Sequence, residues 1–157
     1  MAESPFEGTV TRELIHAAKS LRAYFQQVLA SEGESLSTFL VLDMVARGEG
    51  RRQREIADGI RIEGATMTKH LDRLEAEGLV ARRRDPSDRR AILIDLTPTG
   101  RSTHRRLLEI MRRAHDACWA GISDRDRAAT KRTVMLVSEN IAALGVPEFA
   151  LRKAANG

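Results

Sequence analysis

Arginine is concentrated around one short turn of this 157-residue chain. Arg82 to Arg84 precede residues 85–88, and Arg89 and Arg90 follow them. A guanidinium group is permanently charged and presents a planar set of donors that matches the oxygen atoms of a phosphate. The stretch therefore predicts either a solvated surface loop or an edge that binds phosphates, and charge alone does not separate the two.

The excess of basic charge lies mainly in the middle of the chain. The whole sequence has 26 Lys and Arg against 22 Asp and Glu, a formal charge of +4. The segment from Arg47 to Arg90 holds 12 basic and 9 acidic residues, and so carries most of that excess. Such a distribution favours an anionic partner for the central segment.

Composition and motifs argue against several other classes of protein. No apolar run approaches the roughly 18 residues of a membrane span, and residues 1–5 lack the features of a secretory signal, which predicts a cytoplasmic protein. The single Cys118 excludes an intramolecular disulfide. The sequence contains none of the common hydrolase, phosphate-loop, zinc-protease or dinucleotide motifs, so we expect no catalytic residues, no cofactor and no metal site.

Two helices and a hairpin are predicted to position the arginines. A helix over about Gln53 to Ile60 precedes one from about Gly64 to Glu77, in which Met67, Leu71 and Leu74 share one apolar stripe. Two β-prone stretches, 79–84 and 91–96, then flank the turn at 85–88. We expect a helix-turn-helix followed by an arginine-tipped hairpin.

The hairpin should also have an apolar face. Ile92, Ile94 and Leu96 alternate with a period of two, so we expect all three to face the helices.

Further helices precede and follow this unit. One should begin near Thr9 or Thr11, a second at Ser35, a third after Thr97 and a fourth after Ser123. The predicted fold class is mainly α with a small β-hairpin wing. The predicted domains are a winged helix-turn-helix over 35–97, dimerisation helices over 1–34 and 98–147, and a flexible tail over 148–157. The apolar stripes of the terminal helices predict a homodimer, because one small subdomain cannot cover them.

The second helix of the pair carries residues suited to base edges. With its apolar stripe turned inward, helical spacing places Ala65, Thr66, Lys69 and Arg73 on the opposite face. Threonine can bond a base edge, alanine can contact a thymine methyl, and lysine can reach guanine or a phosphate. This face therefore predicts contacts in the major groove of duplex DNA.

The hairpin suits the minor groove, which accepts arginine where it is narrow and strongly negative. Arg90 is the first candidate for insertion and Arg89 the next, with Asp88 holding the guanidinium in place. The strand arginines Arg82 and Arg84 are predicted to meet phosphates.

The sequence resembles the MarR family of bacterial transcription regulators. Residues 85–100 are similar to that family's wing signature, in which Asp-x-Arg is followed by a strand ending in Leu-Thr and then by Gly. Residues 53–57 resemble its third helix and 66–79 its recognition helix. The resemblance implies a dimer that binds a pseudo-palindromic DNA operator, usually as a repressor, and that a small aromatic or phenolic effector releases.

The resemblance also implies where an effector binds. The family's pocket lies between the dimerisation helices and the DNA-binding lobe, and the matching candidates here are His16, Lys19, Phe39 and Trp119. His16 and Lys19 could meet a carboxylate, with Phe39 and Trp119 as apolar walls.

Two departures from the family pattern lie around the first helix of the pair. Arg52 stands where an N-cap Ser or Thr is frequent, which costs about 1 kcal/mol. The turn before the recognition helix reads Ile60-Arg61-Ile62 without a glycine, so a left-handed residue there would be strained.

Two other functions fit parts of the sequence. A winged-helix module could dock its basic hairpin on an acidic protein. A metal- or thiol-responsive regulator could use His115 and Cys118, which lie three residues apart on one helix. His104, on that same helix, is interpreted as a surface residue.

Overall fold

The computed structural model describes residues 7–49, 52–88 and 91–144, and the chain divides into two compact units after Cys118. The first unit contains α1 (Val10–Ala30), α2 (Leu36–Arg47), α3 (Gln53–Gly59), α4 (Gly64–Ala76), β1 (Val80–Arg84), β2 (Ile92–Leu96) and α5 (Pro98–Cys118). The second contains α6 (Asp124–Ala143). The predicted fold class, mainly helical with a β-hairpin, is confirmed.

The helices begin and end at the residues that the capping signals indicate. Ser35 Oγ accepts a hydrogen bond from the backbone N–H of Thr38 at 3.0 Å, which caps α2. Helix α2 ends at Gly48, whose φ of 72° is the left-handed conformation that glycine adopts without strain. Ser123 caps α6 in the same way through the N–H of Asp126 at 3.2 Å.

The core of the first unit forms around α2. Val41 and Leu42 on α2 have no exposed surface, and the predicted inward stripe of α4 is fully buried beside them. The other large side chains with almost no exposure come from α1, α3, both strands and α5: Leu29, Ile56, Val80, Ile94 and Leu107. One apolar core therefore fixes the hairpin and α4 in the same unit.

The hairpin is antiparallel, with Val80 opposite Leu96 and Arg84 opposite Ile92. Leu93 of β2 also forms an isolated antiparallel bridge with Arg52, which lies outside the two strands. The prediction that Ile92 faces the helices is wrong, because Ile92 is 45% exposed whereas Leu93 is buried. The backbone of Leu93 pairs with Arg52, the residue just before α3.

The turn between α3 and α4 is built without a glycine at its left-handed position. Arg61 has a φ of 56°, the conformation that the sequence suggested would be strained here. Gly59 serves a different purpose, since an added Cβ would lie 2.4 Å from the Cε of Met44. The small residue thus lets α3 approach α2 closely.

The second unit consists, in its described part, of a capped helix with no buried residue. Four consecutive apolar residues of α6, Val134 to Val137, are between 38% and 59% exposed. A bilayer crossing needs a longer or more apolar helix than any found in residues 7–49, 52–88 and 91–144.

We predict that Gly100→Ala destabilises the protein by about 3 kcal/mol, the upper range for overpacking. The new Cβ would lie 1.9 Å from the backbone oxygen of Leu79, so β1 and α5 would have to separate. Gly64→Ala is the matched control, because nothing lies within 4 Å of its Cβ position. Urea unfolding gives the free energy of unfolding of both variants. Equal values would contradict the close packing of Gly100 against Leu79.

Candidate nucleic-acid interface

Helix α4 presents a short polar face to solvent. Ala65, Thr66 and Lys69 are exposed because Met67 and Leu71 are fully buried on the opposite side. These three residues are referred to below as the exposed face of α4.

The side chain of Thr68 links the first turn of α4 to the start of α3. Its Oγ1 donates to the carbonyl of Gly64 at 3.0 Å and accepts from Gln53 Nε2 at 2.7 Å. The two helices of the pair are therefore joined beside the exposed face.

The start of α4 is electrostatically suited to an anion. No side chain caps the N-terminus of this helix, so its first backbone N–H groups remain available to a phosphate. Lys69 has no carboxylate partner within the described ranges. Burial lowers the pKa of His70, the next residue, so the imidazole is neutral at pH 7 and adds no charge.

Arg73 is exposed, as predicted, but its guanidinium is also bound within the lobe. Its Nη2 donates to Thr38 Oγ1 at 2.9 Å, and its Nη1 pairs with Glu77 at 2.8 Å. Thr38 is fully buried and also shares a hydrogen bond with Ser35. The guanidinium of Arg73 thus attaches α4 to α2, and a DNA contact by Arg73 stays a prediction.

The three arginines of β1 differ in whether acidic side chains pair with them. Arg82 pairs with both Asp72 and Glu75 at 2.6 Å, which ties β1 to α4. Arg83 pairs with Asp95 across the hairpin. Arg84 is exposed and forms no ion pair with any residue that the structure describes. Of these three side chains, Arg84 is therefore the most available to a phosphate.

Asp85 fixes the turn at the end of β1. It accepts hydrogen bonds from the hydroxyl of Ser87 at 2.6 Å and its backbone N–H at 2.9 Å, and from Arg52 Nη2 at 3.0 Å. The bonds from Ser87 and then Arg52 hold the pKa of Asp85 well below its ordinary value. The Asp85 carboxylate thus joins the wing to the start of α3.

The predicted tip residues lie at or beyond the edge of the described segment. Asp88 is exposed, and its carbonyl accepts a hydrogen bond from the N–H of Ala91 at 2.9 Å. Arg89 and Arg90 lie outside the described residues, so their roles stay predictions.

The four predicted effector residues are not gathered into one site by the first unit. His16 and Lys19 are exposed on α1. Phe39 is buried in the core, 7% exposed, with its ring stacked on that of His104 at 6.4 Å between centroids. Trp119 belongs to the second unit. Their contact with an effector stays a prediction.

A buried hydrogen bond between α2 and α5 was missed by the sequence reasoning. His104, interpreted there as a surface residue, is only 9% exposed, and its Nε2 lies 3.0 Å from Asp43 Oδ1. Burial alone would raise the pKa of Asp43, but hydrogen bonds from Arg47 and His104 outweigh it and lower that pKa. The available signal was an aspartate within the apolar α2 segment, since a buried carboxylate requires partners.

No metal site supports the sensor interpretation of His115 and Cys118. Throughout the described part of the chain, no three His, Cys, Asp or Glu side chains are grouped closely enough to hold a metal ion. Cys118 is a free, partly exposed thiol at the end of α5.

Known proteins are similar to this chain in sequence and in fold. The model of the MarR family matches residues 33–91. A curated relative, the HTH-type transcriptional regulator YdgJ of Bacillus subtilis, is 36% identical over 72 residues, which are 46% of this chain and 44% of the relative. The match thus spans less than half the length of that protein.

Two solved structures align over most of the chain. BpsR of Bordetella bronchiseptica, whose DNA binding is regulated by 6-hydroxynicotinic acid, is 26% identical with a TM-score of 0.74, covering 87% of this chain and 98% of that one. The repressor CouR of Rhodococcus jostii RHA1, solved on a 23-mer DNA duplex, is 27% identical with a TM-score of 0.74, covering 87% and 99%.

The helix pair, the hairpin and the flanking α5 define a winged helix-turn-helix protein. The matched segment 33–91 spans α2 to the end of the wing turn, which is the same unit that carries the exposed face of α4. That segment of the chain is similar to the MarR family.

We predict that Thr38 and Arg73 stabilise the protein cooperatively. The variants Thr38→Val and Arg73→Met and their double mutant should give a coupling energy of about 1 kcal/mol, as for a single buried hydrogen bond. Urea unfolding supplies the three free energies. In the control cycle, Lys69→Met takes the place of Arg73→Met, and no coupling energy is expected. Equal coupling energies in the two cycles would contradict the conclusion that Arg73 attaches α4 to α2.

Proposed function

We propose that this protein is a dimeric transcription regulator that binds duplex DNA through α4 and the wing. The observation that carries the proposal is the exposed face of α4. It combines two small side chains, a lysine that has no carboxylate partner among the described residues, and a helix start without a side-chain cap. Small side chains let a helix backbone approach base edges closely in the major groove.

Different residues recognise the DNA sequence and position the protein on the duplex. Thr66 and Ala65 contact base edges, and Lys69 reaches guanine or a phosphate. Arg84 contacts a phosphate of the backbone, a role in which Arg82 is limited by its two acidic partners. Arg73 acts on DNA through the orientation of α4.

The wing reaches the minor groove in the same complex. Arg90 is the inserted residue, Arg89 lies beside it and Asp88 orients the guanidinium group. The support for this role is the fixed base of the wing, where Asp85 is bound by Ser87 and Arg52.

Dimerisation places two copies of α4 on one duplex. Val10, Ile15 and Tyr24 on α1 are exposed in the single chain, as are Val134 to Val137 on α6. Exposed apolar residues at this density favour a second copy as the partner. The domain assignment that follows is a DNA-binding lobe over 35–97 and dimerisation helices over 1–34 and 98–147.

Regulation by a small molecule is part of the proposal. In this account an aromatic or phenolic effector releases the DNA, and repression is the default state. The regulation of BpsR by 6-hydroxynicotinic acid supports the effector, and the repressor CouR supports repression. The residues proposed to contact the effector are His16, Lys19, Phe39 and Trp119.

We predict that Lys69→Ala lowers the salt dependence of duplex binding. Each phosphate contact that is lost reduces the slope of log affinity against log salt by about 0.9. Fluorescence anisotropy over about 50 to 200 mM salt measures that slope, on a duplex from the DNA flanking the gene. Lys131→Ala on α6 is the control of the same residue type and should leave the slope unchanged.

The same measurement separates the proposal from its competitor. A protein-docking module would bind an acidic polypeptide and ignore the duplex. Failure of the wild-type protein to bind duplex DNA at low salt would therefore contradict the proposed function.

A further inference from the structure

Arg52 lies where the start of α3 meets the wing. It is the N-cap residue of α3, yet its side chain makes no hydrogen bond to the helix, because a guanidinium has no acceptor atom. The carboxylate of Glu55 accepts a hydrogen bond from the backbone N–H of Arg52 at 3.0 Å. The Arg52 side chain therefore serves a contact other than the helix cap.

That side chain and the Arg52 backbone bind opposite strands of the hairpin. The backbone pairs with Leu93 of β2, and Nη2 donates to Asp85 Oδ2 at 3.0 Å. Asp85 directly follows β1 and is buried, and its N–H donates to the carbonyl of Ala91 at 3.0 Å, which closes the turn of the wing. A single residue before α3 thus holds the hairpin on both sides of its turn.

The apolar core holds the other end of the hairpin more firmly than the end at the turn. Val80 and Leu96, which form the first residue pair, are both buried. Arg84 and Ile92, which form the last pair before the turn, are both exposed. The link from Arg52 to Asp85 therefore restrains the wing where apolar burial does not.

The surroundings of Arg52 favour a role inside the protein over a direct phosphate contact. The hydrogen bond with Asp85 raises the pKa of Arg52, and the negative charges of Asp85, Glu55 and Asp88 raise it further. Three carboxylates thus compensate one guanidinium, and they would repel a phosphate that approached it.

The start of α3 is also bound to α4. Gln53 follows Arg52 in the chain, and its Nε2 donates to Thr68 Oγ1 of α4 at 2.7 Å. Two consecutive residues therefore link the wing and α4, the two elements that contact DNA in the proposed function.

We propose that Arg52 is a positioning residue for the wing, whose side chain holds Asp85 so that the turn and α4 meet the duplex together. The inference rests on the proposed function, since it assigns Arg52 a part in DNA binding. A serine or threonine at position 52 would cap α3 but is too short to reach Asp85. Arginine at this position thus replaces a helix cap with a link to the wing.

A double-mutant cycle in DNA affinity tests the proposal. Arg52→Met removes the donors, and Asp85→Asn keeps an oxygen acceptor for Ser87 while it removes the charge that Arg52 binds. Each change should weaken binding of the full-length protein to the duplex from the DNA flanking the gene about tenfold, measured by fluorescence anisotropy. The double mutant should bind no more weakly than the weaker single variant, because both changes break the same link.

The control cycle uses Arg54→Met in place of Arg52→Met. Arg54 is an exposed arginine of α3 that pairs with Asp58, four residues further along the same helix. Whatever its own effect on affinity, the losses caused by Arg54→Met and Asp85→Asn should multiply in the double mutant.

Arg52→Ser separates positioning of the wing from stability of α3. A serine can cap the helix whereas a methionine cannot, so urea unfolding should give Arg52→Ser the higher free energy of unfolding of the two variants. The two should nevertheless bind DNA equally weakly, because both lack the link to Asp85.

Three results would overturn the inference while wild-type protein binds the duplex. They are unchanged affinity of Arg52→Met, multiplied losses in the double mutant of Arg52 and Asp85, and tighter DNA binding by Arg52→Ser than by Arg52→Met. The second result would assign Arg52 a direct contact with DNA, and the third would assign it a role in helix stability alone. Failure of the wild-type protein to bind would contradict the proposed function itself and this inference with it.

Discussion

The arrangement of the first unit depends on two polar side chains of the buried helix α2. Thr38 accepts a hydrogen bond from Arg73 of α4, and Asp43 binds His104 of α5. A buried polar group costs about 1 to 3 kcal/mol unless it is hydrogen-bonded, so each of these bonds favours the packing that brings its partner to α2. The apolar contacts of α4 allow some rotation about its axis, whereas a hydrogen bond to Thr38 allows little. The buried stripe with Met67 and Leu71 turns the exposed face of α4 outward, and the bond to Thr38 adds a polar link between α4 and α2.

Much of the fold could be predicted because local rules determine it. Ser35 and Ser123 cap the helices that they were expected to cap, and the stripe containing Met67 is fully buried. Period and capping depend on neighbours within one or two turns, and the sequence displays those neighbours directly. The exposure of Ala65, Thr66 and Lys69 is a consequence of the same periodicity.

The features that could not be predicted involve partners far apart in the sequence. Arg73 is exposed as its spacing predicts, but its hydrogen bond to Thr38, 35 positions away, could not be predicted. His104 bonds to Asp43 over 61 positions, and Leu93 pairs with Arg52 over a similarly long stretch of chain. Periodicity carries no information about such pairings, which arise only when the helices pack. A polar residue inside an apolar stripe is the sequence feature that indicates such a long-range pairing.

The central claim is that two copies of this chain bind one duplex with two-fold symmetry. Selection of bound sequences from a pool of randomised duplexes tests that claim most directly. The account predicts an inverted repeat whose half-sites are centred about 10 base pairs apart, with A·T-rich sequence where the wings enter the minor groove. Enrichment of a single unrepeated site, or no enrichment at low salt, would contradict it.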